Sequence, residues 1–212
     1  MGGIVAMDPG ITEPQRSALE KLAPSLDEFT YLAGGVAIAL ELHHRTSLDL
    51  DLFVSHDFDS DRLGERLASE VPSLMTTTRA PGTLHAEVDG IPISVLSYRY
   101  PLLVPARFVN DLPVPVASLD DLVCMKVSAI AGRGAAKDFW DLHELLQHGI
   151  AGGTLEGVMA LYRRKYPVDD LGHAIRSLAY FADADAAPLP RGLIPERWAA
   201  IKSEIARCVK AL

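Results

Sequence analysis

Leu32-Ala33-Gly34-Gly35-Val36-Ala37-Ile38-Ala39-Leu40, followed after Glu41-Leu42-His43-His44 by Arg45-Thr46-Ser47-Leu48-Asp49-Leu50-Asp51-Leu52-Phe53, is the stretch that decides how this chain folds. It reads as an extended segment Phe29–Ala33, a Gly34-Gly35 turn, a short helix Val36–Leu42 and a strand Leu48–Val54. Strand side chains alternate faces, so Ser47, Asp49 and Asp51 share one side and Leu48, Leu50 and Leu52 the other. Two carboxylates about 7 Å apart at Cα repel each other on a strand that is otherwise apolar, a cost that a hard cation or a basic group would offset. A Mg²⁺ held by one or two carboxylates plus substrate phosphates fits this pattern. So does a half-exposed edge strand whose outward face is acidic, a common guard against strand aggregation. The Gly-Gly turn is equally two-sided. It is either a plain tight turn or a helix entrance whose backbone N–H groups face a triphosphate.

Outward from this segment, the N-terminal part predicts a helix over Thr12–Ala23, an amphipathic helix over Asp59–Glu70, and strands at Leu74–Arg79, Leu84–Val88 and Ile91–Ser97. Asp89-Gly90 between the last two strands is a two-residue hairpin signal. After the proline-punctuated stretch Pro101–Pro115 the pattern becomes helical, with Ser118 and Asp121 in capping positions. Helices are expected from there to about Ala131, then over Ala136–His148, Leu155–Lys165, Asp169–Phe181 and Pro195–Ala211. The fold class is therefore α+β: a mixed β-sheet with flanking helices (1–115) followed by a C-terminal α-helical bundle (116–212).

The 212 residues are 49% hydrophobic and 23% charged, the balance of a globular chain rather than a disordered one. Before Asp121 stand 8 basic and 17 acidic residues, a balance of −9; from there on 12 and 11, a balance of +1. A net charge of −8 argues against a duplex-DNA coat, which must neutralise phosphates with Lys and Arg. No apolar run reaches the roughly 20 residues of a membrane span, and no signal segment is readable. Neither membrane association nor export is expected, and the expected compartment is the cytoplasm. Cys124 and Cys208 have no partner at metal-ligand spacing and are expected to be reduced and buried.

With these motifs in order, the chain resembles the AbiEii/AbiGii toxin family of nucleotidyltransferases, within the DNA polymerase beta-like superfamily. The resemblance rests on Leu32-Ala33-Gly34-Gly35 with Ala37 and Leu40, on Arg45 through Phe53, on Lys126 within Leu122–Ile130, and on Arg133 with Lys137-Asp138-Phe139-Trp140-Asp141-Leu142. It spans roughly residues 30 to 146. It implies transfer of a nucleoside monophosphate from an NTP, with Mg²⁺ or in its place Mn²⁺, to an RNA hydroxyl such as a tRNA 3′ end. A cognate antitoxin protein is an implied partner. Carried over by residue, Gly34, Gly35 and Ser47 would line the triphosphate, Asp49 and Asp51 would hold the metal, and Lys126 would contact phosphates. Asp138 would be essential, Arg133 and Lys137 would help bind nucleotide, and the helical domain would complete the site. One departure stands out: where the superfamily often has a third carboxylate on a later strand, this chain has Ser94. That leaves two alternatives beside the RNA transferase: transfer to a protein hydroxyl, and a degenerate member that binds a nucleotide or partner without turnover.

On the helix Ala136–His148, Lys137, Asp138 and Asp141 are three and four apart and lie near one side, as they would in an ordinary solvated helix with a surface ion pair. Lys126 falls in an apolar helix, where a lysine commonly lays its stem along the core edge. Arg163-Arg164-Lys165 is either a phosphate-backbone contact or a basic last turn that complements a helix dipole. The histidines form no readable metal cluster.

Overall fold

The computed structural model describes residues 10–212. They form two compact units: the chain up to Pro101 together with Ala106–Ala117, and Leu102–Pro105 together with Ser118–Leu212.

The first unit is a five-stranded sheet with helices. Its elements are α1 (Glu13–Leu22), β1 (Thr30–Ala33), α2 (Gly34–Leu42), β2 (Leu50–Val54), α3 (Ser60–Glu70), β3 (Leu74–Ala80), β4 (Thr83–Val88) and β5 (Ile91–Ser97). The strand order is β1-β2-β5-β4-β3. Only β2 and β5 pair in parallel; the other pairings are antiparallel, and a bulge at Thr76 to Thr78 interrupts β3. Asp89 and Gly90 have φ of 50° and 80°, as a two-residue turn between twisted strands requires. Beyond β1, Val116 pairs with Leu32, so β1 is not left as a bare edge.

Alternation makes one face of this sheet the core. Leu50, Leu52 and Val54 of β2, Ile93 and Val95 of β5, and Leu84, Ala86 and Val88 of β4 are buried, together with Ala18, Leu19 and Leu22 of α1 and Leu63 and Leu67 of α3. Truncating one such leucine to alanine costs about 2 to 5 kcal/mol. Helix α1 opens with a capping box formed by Thr12 and Gln15.

The second unit is helical: α4 (Leu119–Arg133), α5 (Ala136–Gln147), α6 (Leu155–Lys165), α7 (Gly172–Leu178), α8 (Ala182–Ala186) and α9 (Pro195–Val209). Helix α4 packs on α5, α6 and α7, and α5 on α9. Phe139, Phe181 and Trp198 meet with ring centroids 5.0 to 6.0 Å apart. The α+β class, a mixed sheet followed by helices, is as the hydrophobic periodicity predicts. The single helix expected over Asp169–Phe181 is shorter. The Asp170 carboxylate accepts the Gly172 N–H and delays its start, and Tyr180 N–H turns back to Ser177 O and ends it before α8 begins.

Besides the Lys126 group described below, two charged clusters are buried in this unit, among the described residues. Lys165 donates to Asp121 at 2.6 Å with both side chains fully buried, and Asp121 also accepts from Ser118 Oγ and from the N–H groups of Leu103 and Val104. Lys165 is therefore an internal cation, and only Arg163 and Arg164 of that basic run are exposed. The second cluster holds Glu144 on α5. Burial pushes its carboxyl up, but hydrogen bonds from His143 and Arg197 overcome this and hold it at about 2. Both cysteines are free. Cys124 is buried, which pushes its thiol up to about 12, whereas Cys208 is only half-buried.

Asp121→Asn would leave the Lys165 ammonium buried without a counter-charge, a loss of about 3 to 5 kcal/mol. Thermal melting is expected to show this, with Asp120→Asn in the same helical turn nearly silent. Because Glu144 titrates lower folded than unfolded, the unfolded chain binds more protons, and stability falls as pH drops from about 4.5 toward about 2. In denaturant titrations across that window Glu144→Gln should lose less stability than the parent, the difference reaching at most about 3 kcal/mol, while Asp138 contributes its own acid loss to both.

Candidate active site

Of the predicted phosphate and metal residues of the first unit, Gly34, Gly35, Ser47 and Asp51 come together. The chain passes from β1 into α2 through Gly34, whose φ of +68° lies in the left-handed region that favours glycine. A Cβ at Gly34 would collide with Asp51 Oδ2, and a Cβ at Gly35 would stand 2.5 Å from both Ser47 Oγ and an Arg45 guanidinium nitrogen. The carboxylate of Asp51, the hydroxyl of Ser47 and the Arg45 guanidinium thus approach the entrance of α2 as closely as two missing side chains allow.

That entrance carries no side-chain cap and no acidic residue in its first turn. First-turn N–H groups of a helix have no intrahelical acceptors, and they favour an anion. Asp51 is paired with Ala33 of β1 on one side and Ser94 of β5 on the other. Asp49 lies just ahead of β2, which begins at Leu50 rather than Leu48; Leu48 is accordingly 69% exposed and not part of the core face. Both aspartates are half-buried.

Two further residues complete this arrangement. Arg45 is buried beside Gly35 and brings a fixed positive charge to the acidic strand. Its signal is its place two residues before Ser47 in the motif. Gln15 of α1 is buried, and its side-chain N–H₂ donates to the carbonyls of Ser47 at 2.8 Å and Leu48 at 3.0 Å. It pins the segment that leads into Asp49. Only the capping pattern from Thr12 to Gln15 hints at it, and that pattern says nothing of its second partner.

Carboxylates and a serine hydroxyl are hard oxygen ligands of the sort that hold Mg²⁺ jointly with phosphates, and the N–H groups at the start of α2 suit the phosphate oxygens themselves. Among the described residues no group of three or more His, Cys, Asp or Glu gathers as a metal cage. The donor set fits Mg²⁺ at Asp49 and Asp51. A separate cleft of about 420 Å³, lined among others by Asp27, His56, Asp57 and Arg62, contains none of these residues.

The motif residues of the second unit form their own cluster. Lys126 Nζ is 3.0 Å from Asp138 Oδ1 and 2.7 Å from Asp141 Oδ2, and Arg133 binds Asp138 through two nitrogens at 2.8 Å. Both carboxylates are fully buried and Lys126 is nearly so, while the Arg133 side chain is 57% exposed and Lys137 half-buried. Burial pushes the Asp138 carboxyl up, but Lys126 and Arg133 outweigh it and hold it below its ordinary value. Instead of a solvated helix face, Asp138 and Asp141 therefore form an internal pair clamped by two cations.

The chain matches the nucleotidyl transferase AbiEii toxin family, type IV TA system, over residues 87–211, from within β4 to the end of α9. It is 36% identical over 177 residues to an uncharacterized protein of Aquifex aeolicus (strain VF5), covering 82% of this chain and 84% of that one. Among solved structures it is similar to MenT4, a nucleotidyltransferase toxin from Mycobacterium tuberculosis H37Rv, with a TM-score of 0.60 at 18% identity over 93% of this chain and 82% of that one. It is also similar to the antibiotic-resistance factor ANT(2″)-Ia, with a TM-score of 0.52 at 15% identity over 71% of this chain and 90% of that one. A sheet whose acidic strand meets a glycine turn, in a fold shared with nucleotidyltransferases, and a family match over more than half its length lead to one conclusion: the chain belongs to the AbiEii nucleotidyltransferase toxin family.

Proposed function

We propose that the protein transfers a nucleoside monophosphate from an NTP to an RNA hydroxyl, most simply a tRNA 3′ end, releasing pyrophosphate, and that it acts as the toxin opposite a cognate antitoxin. The observation that carries this reading is the close approach of Asp51, Ser47 and Arg45 to the uncapped entrance of α2 at Gly34-Gly35. Phosphoryl transfer asks a protein mainly for positioning and charge stabilisation, and these groups supply both. Arg45, Ser47 and the N–H groups of Gly34-Gly35 fix the triphosphate for in-line attack. Asp49 and Asp51 are the residues to hold Mg²⁺, which when bound would polarise the phosphate and offset charge on the leaving group. Gln15 keeps the backbone of Ser47 and Leu48 in place beneath them.

Lys126, on the phosphates, and Arg133 and Lys137 are proposed as a second set of nucleotide-binding residues, with the buried Asp138 as the essential carboxylate that fixes Lys126 and Arg133. Their cluster supports this by holding a lysine ammonium in a fixed position. Nucleotide binding does not require a basic protein. A few placed cations beside an acidic strand suffice, in keeping with the net charge of −8.

Incubation with labelled NTPs, Mg²⁺ and total tRNA tests the reading and reports base and acceptor together. Label is expected on tRNA, and chelation of Mg²⁺ should remove it. Label on protein instead would redirect the acceptor to a protein hydroxyl. Asp49→Ala and Asp51→Ala are each expected to lower turnover at least about a hundredfold; unchanged turnover in both would displace the site. Gly35→Ala puts a methyl against Ser47 and Arg45. It is expected to raise KM for the NTP about tenfold, a loss of about 1.4 kcal/mol of binding, and to lower stability by about 1 to 3 kcal/mol as the buried Ser47 and Arg45 give way.

A further inference from the structure

The strand that carries Asp51 is one member of a row that continues across the sheet. Ala33 of β1, Asp51 of β2, Ser94 of β5 and His85 of β4 stand opposite one another in register. Directly paired residues on neighbouring strands share a face, and the strands lie about 4.8 Å apart. Ser94 therefore stands between the carboxylate of Asp51 and the imidazole of His85. His85 Nδ1 is 3.1 Å from Ser94 Oγ, and both residues are half-buried.

The register names the neighbours of His85 on the strands beside it. Thr83 and Glu87 flank it on β4, and Thr78 faces it from β3. Glu87 and, one strand beyond Ser94, Asp51 are the ionisable groups of that face on β4, β5 and β2. Helix α3 packs on β3 and β4 from the opposite side, where Leu63 lies with Val54 and Val95.

Transfer to a hydroxyl requires somewhere for its proton to go. On β5 beside Asp51 there is no carboxylate to take it; there is a hydroxyl hydrogen-bonded to an imidazole, the commonest general base of enzymes. We propose that Ser94 and His85 form a proton relay for the acceptor hydroxyl, an inference that rests on the transferase reading above. As the acceptor oxygen bonds to the α-phosphorus, the bond from that phosphorus to the bridging oxygen breaks and its electron pair leaves with pyrophosphate. The acceptor proton passes to Ser94 Oγ while the proton of Ser94 passes to His85 Nδ1. Ser94 is left neutral and His85 as imidazolium, which returns its proton to water. Ser94 is the catalytic group, and His85 is the positioning residue that acts through it. Ser94 is thus a working substitute rather than the mark of a dead enzyme.

The test is pyrophosphate release with NTP and total tRNA, with thermal melting of every variant. His85→Ala is expected to lower kcat at least about a hundredfold with KM for the NTP unchanged. His85→Gln keeps a hydrogen-bonding group beside Ser94 but cannot hold the proton, and it should lose as much. Ser94→Asp in the His85→Ala background supplies a carboxylate that takes the proton directly. It should bring kcat back to within about tenfold of the parent and move the acidic limb of the pH profile to lower pH. Parental kcat in His85→Gln, or no recovery in a double variant that melts like the parent, would overturn the relay and leave the transferase reading standing. A parent that releases no pyrophosphate with any acceptor would sink both.

Discussion

Residue 34 must have no side chain. The Asp51 carboxylate occupies the place where a Cβ would be, and the backbone there turns through a left-handed φ. From that single steric fact follow the tight joint between β1 and α2 and the nearness of an anionic strand to the positive end of a helix. Gly35 repeats the condition one residue on, against Ser47 and Arg45. A helix dipole and a guanidinium beside a carboxylate lower the cost of its charge, so an acidic strand with an apolar other face can exist before any cation arrives.

Much of this was legible in the sequence because it depended on local rules. The alternation of Leu50, Leu52 and Val54 with Asp51 and Phe53 gave the strand and its core face, and Asp89-Gly90 gave the hairpin. Gly34-Gly35 ahead of Ser47, Asp49 and Asp51 gave the site's ingredients. What stayed hidden was long-range. Gln15 reaches a segment 32 residues on, which no periodicity records. The Lys165 to Asp121 pair spans 44 residues and turns what reads as a basic surface turn into an internal cation. Helix ends also escaped where a side chain competed for backbone donors, as Asp170 does before α7. Register was the largest omission: Ser94 stood out by its position in β5, but its neighbour His85 became its partner only through the pairing of β4 with β5.

The helical unit buries acid on purpose. Asp121, Asp138, Asp141 and Glu144 are all nearly inaccessible, and each is answered by a lysine or arginine at hydrogen-bond distance. Such pairs contribute little net stability over an apolar core, but breaking one is costly, so they fix which helix faces which. Asp138 and Asp141, three apart on α5, together determine where the Lys126 ammonium sits, and Arg133 at the end of α4 closes the same clamp.

Asp121 has one more effect, on the order of the chain itself. By accepting the N–H groups of Leu103 and Val104 it draws Leu102–Pro105 into the helical unit, after which Ala106–Ala117 returns to lie along β1. The polypeptide therefore passes between the units three times. No single cut separates them cleanly: a fragment ending at Pro101 strips the strand Thr30–Ala33 of its outer partner, and one beginning at Ser118 deprives a buried carboxylate of two donors. Neither unit is a single continuous stretch of the chain.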